Sequence, residues 1–348
     1  MAFESFPFVV GWELTLACNL RCRHCASSAG DARPDELSLE EALGICDELR
    51  ALLVQEVVFT GGEPTLSPLW EPLARRLSEY GIRAGMVTNG TNLTDAMIAR
   101  MREAGVTALA ISLDGMKETH DYIRAIPGLF ERVMGGIRRA LEAGFTVTVI
   151  TTVNSRSLPE LPALLPVLKE AGVKRWQLQP IFAFGRTRES QHLQLSFADY
   201  EMLGEFVLHW RPLAKEWGLE IFPADGIGYF SERNEEGDGW RGCSAGVTAC
   251  GIMSDGRIKG CLSWPDSLVE GSLREDYFWN IWFRDGAFAY TRNVCREDIG
   301  GECSDCDKWR ECGGGCLAMS IAATGRMHAD PYCFRALSKE RLVGVTGQ

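Results

Sequence analysis

The sequence lacks long apolar runs, an excess of positive charge and any repeated or low-complexity tract. No apolar stretch approaches the roughly 18–20 residues a membrane-spanning helix needs. Residues 1–10 carry no basic region and include Glu4, so they do not read as a secretion signal. Lys and Arg number 36 against 47 Asp and Glu, a formal charge of −11. That balance argues against non-specific binding to nucleic acid or to an anionic membrane, while leaving a basic peptide partner open. A cytoplasmic protein with neither a nucleic-acid nor a membrane partner is the expectation.

What the chain does have is cysteine. Thirteen in 348 residues is an odd count, and with no secretion signal it argues against a disulfide framework. Reduced cysteines in tight groups bind metal more often.

Up to about Pro180, short apolar runs alternate with amphipathic stretches. Strands are expected at residues 9–16, 56–60, 82–88, 107–113, 145–153 and 175–179. Their near-continuous apolar character suggests parallel strands covered on both faces. Ser38 and Glu41 form a capping-box signature for a helix reaching about Leu53, with Leu39, Ala42, Leu43, Cys46, Leu49 and Leu53 on one face. Pro68 suits a helix start, and Gly81 and Gly105 suit helix ends. Six such βα units predict an α/β fold, a partial (β/α)6 barrel, and the Gly- and Cys-rich stretch from about Cys243 suits a small cysteine-rich α+β domain stapled by metal or cluster. The division expected is a core over 1–181, a bridging segment over 182–240, a cysteine-rich domain over 241–335 and a tail over 336–348. Glycine-rich or polar residues follow each strand, and such residues collect at the carboxyl ends of parallel strands.

Cys18, Cys22 and Cys25 make a C-x3-C-x2-C triplet after the first strand. Three thiolates this close suit one soft metal centre. A 4Fe–4S cluster normally takes four thiolates, so three leave one iron open. A zinc loop using His24 as fourth ligand is the alternative.

With Gly61, Gly62, Glu63 and Pro64 after the second strand, the triplet resembles the radical S-adenosylmethionine superfamily over about residues 9–180. The resemblance implies that the open iron binds S-adenosylmethionine, whose reductive cleavage yields a 5′-deoxyadenosyl radical. It implies that Gly61 and Gly62 give close backbone approach to the methionine ammonium, with Glu63 as an anionic acceptor. Ser112 and Asp114 would face the ribose and methionine, Arg124 the methionine carboxylate, and Asn89 and Asn154 would be further polar contacts. Plainer readings stay open: a tight turn at Gly61-Gly62, a helix cap at Asp114, a surface charge at Arg124.

Eight more cysteines form a second pattern: Cys243, Cys250, Cys261, then Cys303-x2-Cys306-x5-Cys312-x3-Cys316, then Cys333. This resembles the SPASM extension of the same superfamily, which holds two auxiliary 4Fe–4S clusters. The resemblance assigns Cys243, Cys250, Cys261 and Cys316 to one and Cys303, Cys306, Cys312 and Cys333 to the other, for three clusters in all. On spacing alone, two all-thiolate zinc sites fit equally well. Cys46 reads as a core residue and Cys295 as an unpaired thiol.

The family resemblance makes a ribosomal peptide or small protein the leading substrate, oxidised or cross-linked through a thioether or carbon–carbon bond. Reduced flavodoxin or ferredoxin would donate the electron. A small molecule or tetrapyrrole precursor is the alternative substrate, and a non-enzymatic electron carrier or zinc-stapled binding protein the alternative class. Two departures bear on this. Leu262 stands where sulfatase maturases carry an aspartate base, and only seventeen residues precede Cys18, so a separate leader-binding protein is one expectation. For a base, Asp225 and Tyr229 are the candidates.

Overall fold

In the computed structural model, residues 5–224, 227 and 242–333 are described. One ten-stranded sheet runs through them. Its first seven strands alternate with helices: β1 (Val9–Thr15), α1 (Leu39–Ala51), β2 (Glu56–Gly61), α2 (Trp70–Glu79), β3 (Arg83–Thr88), α3 (Asp95–Glu103), β4 (Val106–Ser112), α4 (Lys117–Arg124), α5 (Leu129–Glu142), β5 (Thr146–Val153), α6 (Leu161–Glu170), β6 (Arg175–Pro180), α7 (Phe197–Glu216) and β7 (Glu220–Pro223). Each of these strands pairs in parallel with the next. The sheet does not close, as expected for a partial barrel.

The capping box of α1 forms as expected: Glu41 N donates to Ser38 Oγ and Ser38 N to the Glu41 carboxylate. The buried face of α1 differs from the expected one. Ala42, Ile45, Cys46 and Leu49 are buried, whereas Leu53 is 75% exposed. The helix stops at Ala51, so Leu53 falls outside its periodicity.

The strands are also less uniformly covered than their composition suggested. Along β5, Val147, Val149, Thr151 and Val153 are buried. Thr148, Ile150 and Thr152, on the other face, line a cavity of about 550 Å3. Period-two alternation of a sheet with one wet face therefore applies. Trp176 on β6 shows what the covered face requires. Its indole donates to Thr151 Oγ1 at 2.8 Å, and that hydroxyl donates to Leu113 O at 2.6 Å, so the buried ring keeps its polar edge paired.

The cysteine-rich segment joins this same sheet. β8 (Ala249–Ile252) pairs in parallel with the outer edge of β1, Cys250 opposite Val10. β9 (Arg257–Lys259) and β10 (Val269–Ser272) continue antiparallel. Short helices α8 (Phe278–Phe283), α9 (Ala289–Arg292), α10 (Trp309–Cys312) and α11 (Leu317–Thr324) follow. Phe278 and Trp282 on α8 and Phe288 just before α9 are buried. An aromatic core thus supports this segment alongside whatever its thiols bind.

Candidate active site

The loop carrying Cys18, Cys22 and Cys25 leaves β1 and returns to its own base. Cys18 N donates to Gly30 O at 2.9 Å and Gly30 N to Leu16 O at 3.0 Å. Inside the loop, carbonyls without secondary-structure partners are met by Arg186 from beyond β6. Its Nε donates to Cys22 O at 3.0 Å and Nη1 to Ala29 O at 2.9 Å, while its backbone N donates to Cys25 O at 3.0 Å. Gly185 makes this approach possible: it has φ +53°, and a Cβ there would lie 2.3 Å from Ala26 O. Neither residue was singled out for this role in the sequence, because the contact spans 164 positions.

All three thiols line the 550 Å3 cavity, with Gly61, Gly62, Thr88, Asn89, Ser112, Arg124, Thr152 and Gln179. Burial pushes the Cys18 and Cys22 thiols up, and the other thiols of the loop add to the rise. Donors face the sulfurs: Asn89 Nδ2 lies 3.9 Å from Cys18 Sγ, and Arg124 Nη1 lies 3.8 Å from Cys22 Sγ.

Asp114 holds Arg124 in place. The carboxylate is fully buried and accepts from Arg124 Nε at 2.5 Å and Thr152 N at 3.1 Å, with His24 Nε2 at 3.1 Å. Burial alone would raise its pKa, but the Arg124 charge and the His24 contact outweigh that and hold it well below the usual carboxylate range. His24 therefore turns its Nε2 to Asp114. Its Nδ1 is buried without a protein partner. Among the described residues, no three Cys, His, Asp or Glu converge as a single metal ion requires.

Several of the expected contacts have protein partners of their own. Glu63 is fully buried and does not line the cavity. Its oxygens accept from Thr65 N and Oγ1, Thr88 Oγ1 and Asn89 N, so it braces the 88–90 turn that presents Asn89. Pro64 opens the buried turn after it. Gly61 and Gly62 line the cavity, but the chain itself requires them: a Cβ at Gly61 would lie 2.2 Å from Thr15 O, and one at Gly62 2.2 Å from Ala17 O. Asn154 is buried and does not line the cavity, its Oδ1 accepting from Arg156 N and Ser157 N. Ser112 does line the cavity, and Arg124 reaches Asp114 and Cys22 as well as the lumen. Asp225 and Tyr229 lie outside the described residues.

In the second cysteine set, burial pushes the Cys303 thiol up to about 12, with contributions from Cys333, Cys312 and Cys306. Cys333, Cys312 and Cys306 each lie within electrostatic reach of Cys303. Cys250 is buried on β8, Cys316 precedes α11 with its N–H donating to Asp330 Oδ2, and Cys243 lines a separate cavity of about 790 Å3. Leu262, after Cys261, packs on the lumen side of the sheet over Gly251 and Gly11: a Cβ on Gly251 would lie 2.6 Å from its Cγ. An apolar side chain fills that notch, where a base would need polar partners. Cys46 is buried, as expected, and exposed Cys295 contacts Asp298 Oδ2 at 3.0 Å.

Residues 12–160 match the Radical SAM superfamily. An AdoMet-dependent heme synthase of Methanosarcina barkeri is 33% identical over 96% of this chain and 98% of that protein. The chain belongs to the radical S-adenosylmethionine superfamily. Within it, mycofactocin maturase MftC of Mycolicibacterium smegmatis is 30% identical, over 97% of this chain and 86% of its own. Streptococcus suis SuiB bound to S-adenosylmethionine shares the fold, with a TM-score of 0.73 at 19% identity over 95% of this chain and 76% of that one. Membership carries an iron–sulfur cluster and S-adenosylmethionine with it. The thiols, Asn89 and Arg124 fit such a cluster, being donors and ligands gathered on one cavity wall.

Proposed function

We propose that this radical S-adenosylmethionine enzyme oxidises a tetrapyrrole in the sheet's cavity, with three 4Fe–4S clusters held by the cysteines that the resemblance to the SPASM extension assigns to them. The reading rests on one observation: an AdoMet-dependent heme synthase matches nearly end to end, 98% of its length at 33% identity. A second such synthase, from Oleidesulfovibrio alaskensis, is 30% identical. Cys18, Cys22 and Cys25 would hold the cluster that, once reduced, would supply the one-electron reductive cleavage of S-adenosylmethionine.

The protein's part is placement. Arg124, held by Asp114, keeps a cation beside Cys22. Asn89 faces Cys18, and Ser112, Thr152 and Gln179 offer the polar contacts of the lumen. Val58, Val87, Ala110, Ile150 and Phe182 keep much of the remaining wall apolar, which shields a reactive intermediate from water.

A peptide substrate is the second reading. MftC matches 97% of this chain, and SuiB bound to its precursor peptide SuiA shares the fold. Anaerobic turnover separates the two. Protein with about twelve irons per chain, four for each cluster, is reduced with S-adenosylmethionine and either an iron tetrapyrrole or a candidate peptide. Release of 5′-deoxyadenosine coupled to change in the tetrapyrrole supports the first reading, and coupling to the peptide alone overturns it. Cys22→Ala should abolish release while about eight irons remain. Retained release would place the radical chemistry elsewhere.

A further inference from the structure

Arg292 ends α9 with an unusual set of contacts. Its Nε donates to Gly246 O at 2.6 Å and its Nη1 to Trp282 O at 2.7 Å. The guanidinium carbon lies 4.6 Å from the Trp282 ring centroid and 4.7 Å from that of Phe288. Both rings are buried, so the side chain is fixed in plane and direction. Its third nitrogen, Nη2, is buried and has no protein hydrogen-bond partner.

Leaving a charged donor buried and unpaired is costly. The nearby carboxylate of Glu270 is already engaged by Phe288 N and Arg284 Nη2. An acceptor beyond the protein's own atoms is therefore called for. Position indicates which. Arg292 lines the same cavity as Cys243. Gly246, whose carbonyl Arg292 Nε engages, lies in the stretch of chain between Cys243 and Cys250.

We propose that Arg292 Nη2 donates a hydrogen bond to the auxiliary cluster held by Cys243 and Cys250, and that its fixed charge raises that cluster's reduction potential. The inference rests on the proposed cluster assignment. Reduction adds negative charge, so a nearby cation stabilises the reduced state. Hydrogen bonds to the sulfurs act in the same direction. Arg292 then sets how readily this cluster accepts an electron.

The test uses the full-length, reconstituted protein grown with 15N-arginine. Auxiliary signals are identified in pulsed electron paramagnetic resonance as those unchanged on adding S-adenosylmethionine. One of them should show a 15N coupling that disappears in Arg292→Lys. In Arg292→Gln the midpoint of that cluster should fall by at least the equivalent of a tenfold change in its reduction equilibrium, 59 mV for one electron. The other auxiliary cluster should not move. Arg292→Lys, which keeps the charge, should fall less. Absence of the coupling from the unsubstituted protein, its survival in Arg292→Lys, or unchanged midpoints with about twelve irons retained would each overturn the proposal. Fewer than twelve irons in the unsubstituted protein would overturn the cluster assignment instead. If Arg292→Gln does not assemble, the 15N coupling decides alone.

Discussion

Asp114→Asn tests whether charge, or packing alone, holds Arg124 beside the cysteine loop. The substitution keeps the shape of the side chain and removes its charge. Arg124 is then a cation at a nearly inaccessible site without its carboxylate, which lay 2.5 Å away. Breaking a buried ion pair on one side costs about 3–5 kcal/mol. Cys22 Sγ, 3.8 Å from Arg124 Nη1, compensates part of the charge when ligating as a thiolate. The lower end, about 3 kcal/mol, is therefore expected. The pH dependence has a definite sign. A carboxylate with a depressed folded pKa stabilises the fold above its unfolded value, here 3.8, and loses that contribution as pH falls through the folded value. The difference between wild type and Asp114→Asn should thus be complete at pH 7 and shrink only in strong acid. Urea unfolding under anaerobic conditions, followed by tryptophan fluorescence and cluster absorbance, measures it. The double variant Asp114→Asn/Arg124→Gln removes both charges and should be more stable than Asp114→Asn alone. A single-variant loss under about 1 kcal/mol, or a double variant less stable than the single, would refute the electrostatic account.

Two further predictions concern other parts of the fold. Gly62→Ala places a Cβ 2.2 Å from Ala17 O and 2.5 Å from Leu16 O, backbone atoms with little room to yield. It should lower iron by about four per chain and abolish 5′-deoxyadenosine release; full iron content with normal release would show that the loop adapts. Native alkylation should separate the two cysteines outside the cluster pattern. Cys46, pushed up to about 12 by burial, should resist iodoacetamide at pH 8, while exposed Cys295 reacts. Cys295 is itself raised by its contact with Asp298, so its labelling should accelerate with pH, and peptide mapping that finds Cys46 modified before unfolding would contradict its placement.

Signals carried within a few residues were the legible ones. Strand positions, the Ser38–Glu41 capping box and the cysteine spacings each depend on neighbours in the chain, and the structure reproduces the strands and the cap. What was hidden depends on distant partners. Glu63 reads as a free acceptor until Thr88 and Asn89, some 25 positions on, are seen to occupy it. The need for glycine at 61 and 62 is set by the backbone of residues 15–17, which a turn motif does not reveal. Arg124 and Asp114 are ten residues apart with a helix end between them, so no helical spacing announces their pairing. The wet face of β4, β5 and β6 was available in the alternation of Ala110 and Ser112, Thr148, Ile150 and Thr152, and Gln177 and Gln179. It was obscured by the apolar content of the same strands.

The two cysteine sets are tied together through β1. Its C-terminal end leads to Cys18, and at its N-terminal end Val10 stands opposite Cys250 on β8. From Val10 to Thr15 is five residues of strand, about 17 Å at 3.3–3.4 Å each. Glu13 locks the same junction, accepting from Ser254 N and Oγ on one side and from Arg33 on the other. Moving the cysteine-rich segment against the cavity would break this ladder and strip Leu262 from Gly11. A hinge at that junction is therefore a poor way to admit different substrates. On the proposed function, choice between a tetrapyrrole and a peptide would fall on the side chains that line the lumen. Exchanging Gln177 or Gln179 for apolar residues should alter which substrate couples to 5′-deoxyadenosine release without changing the iron content.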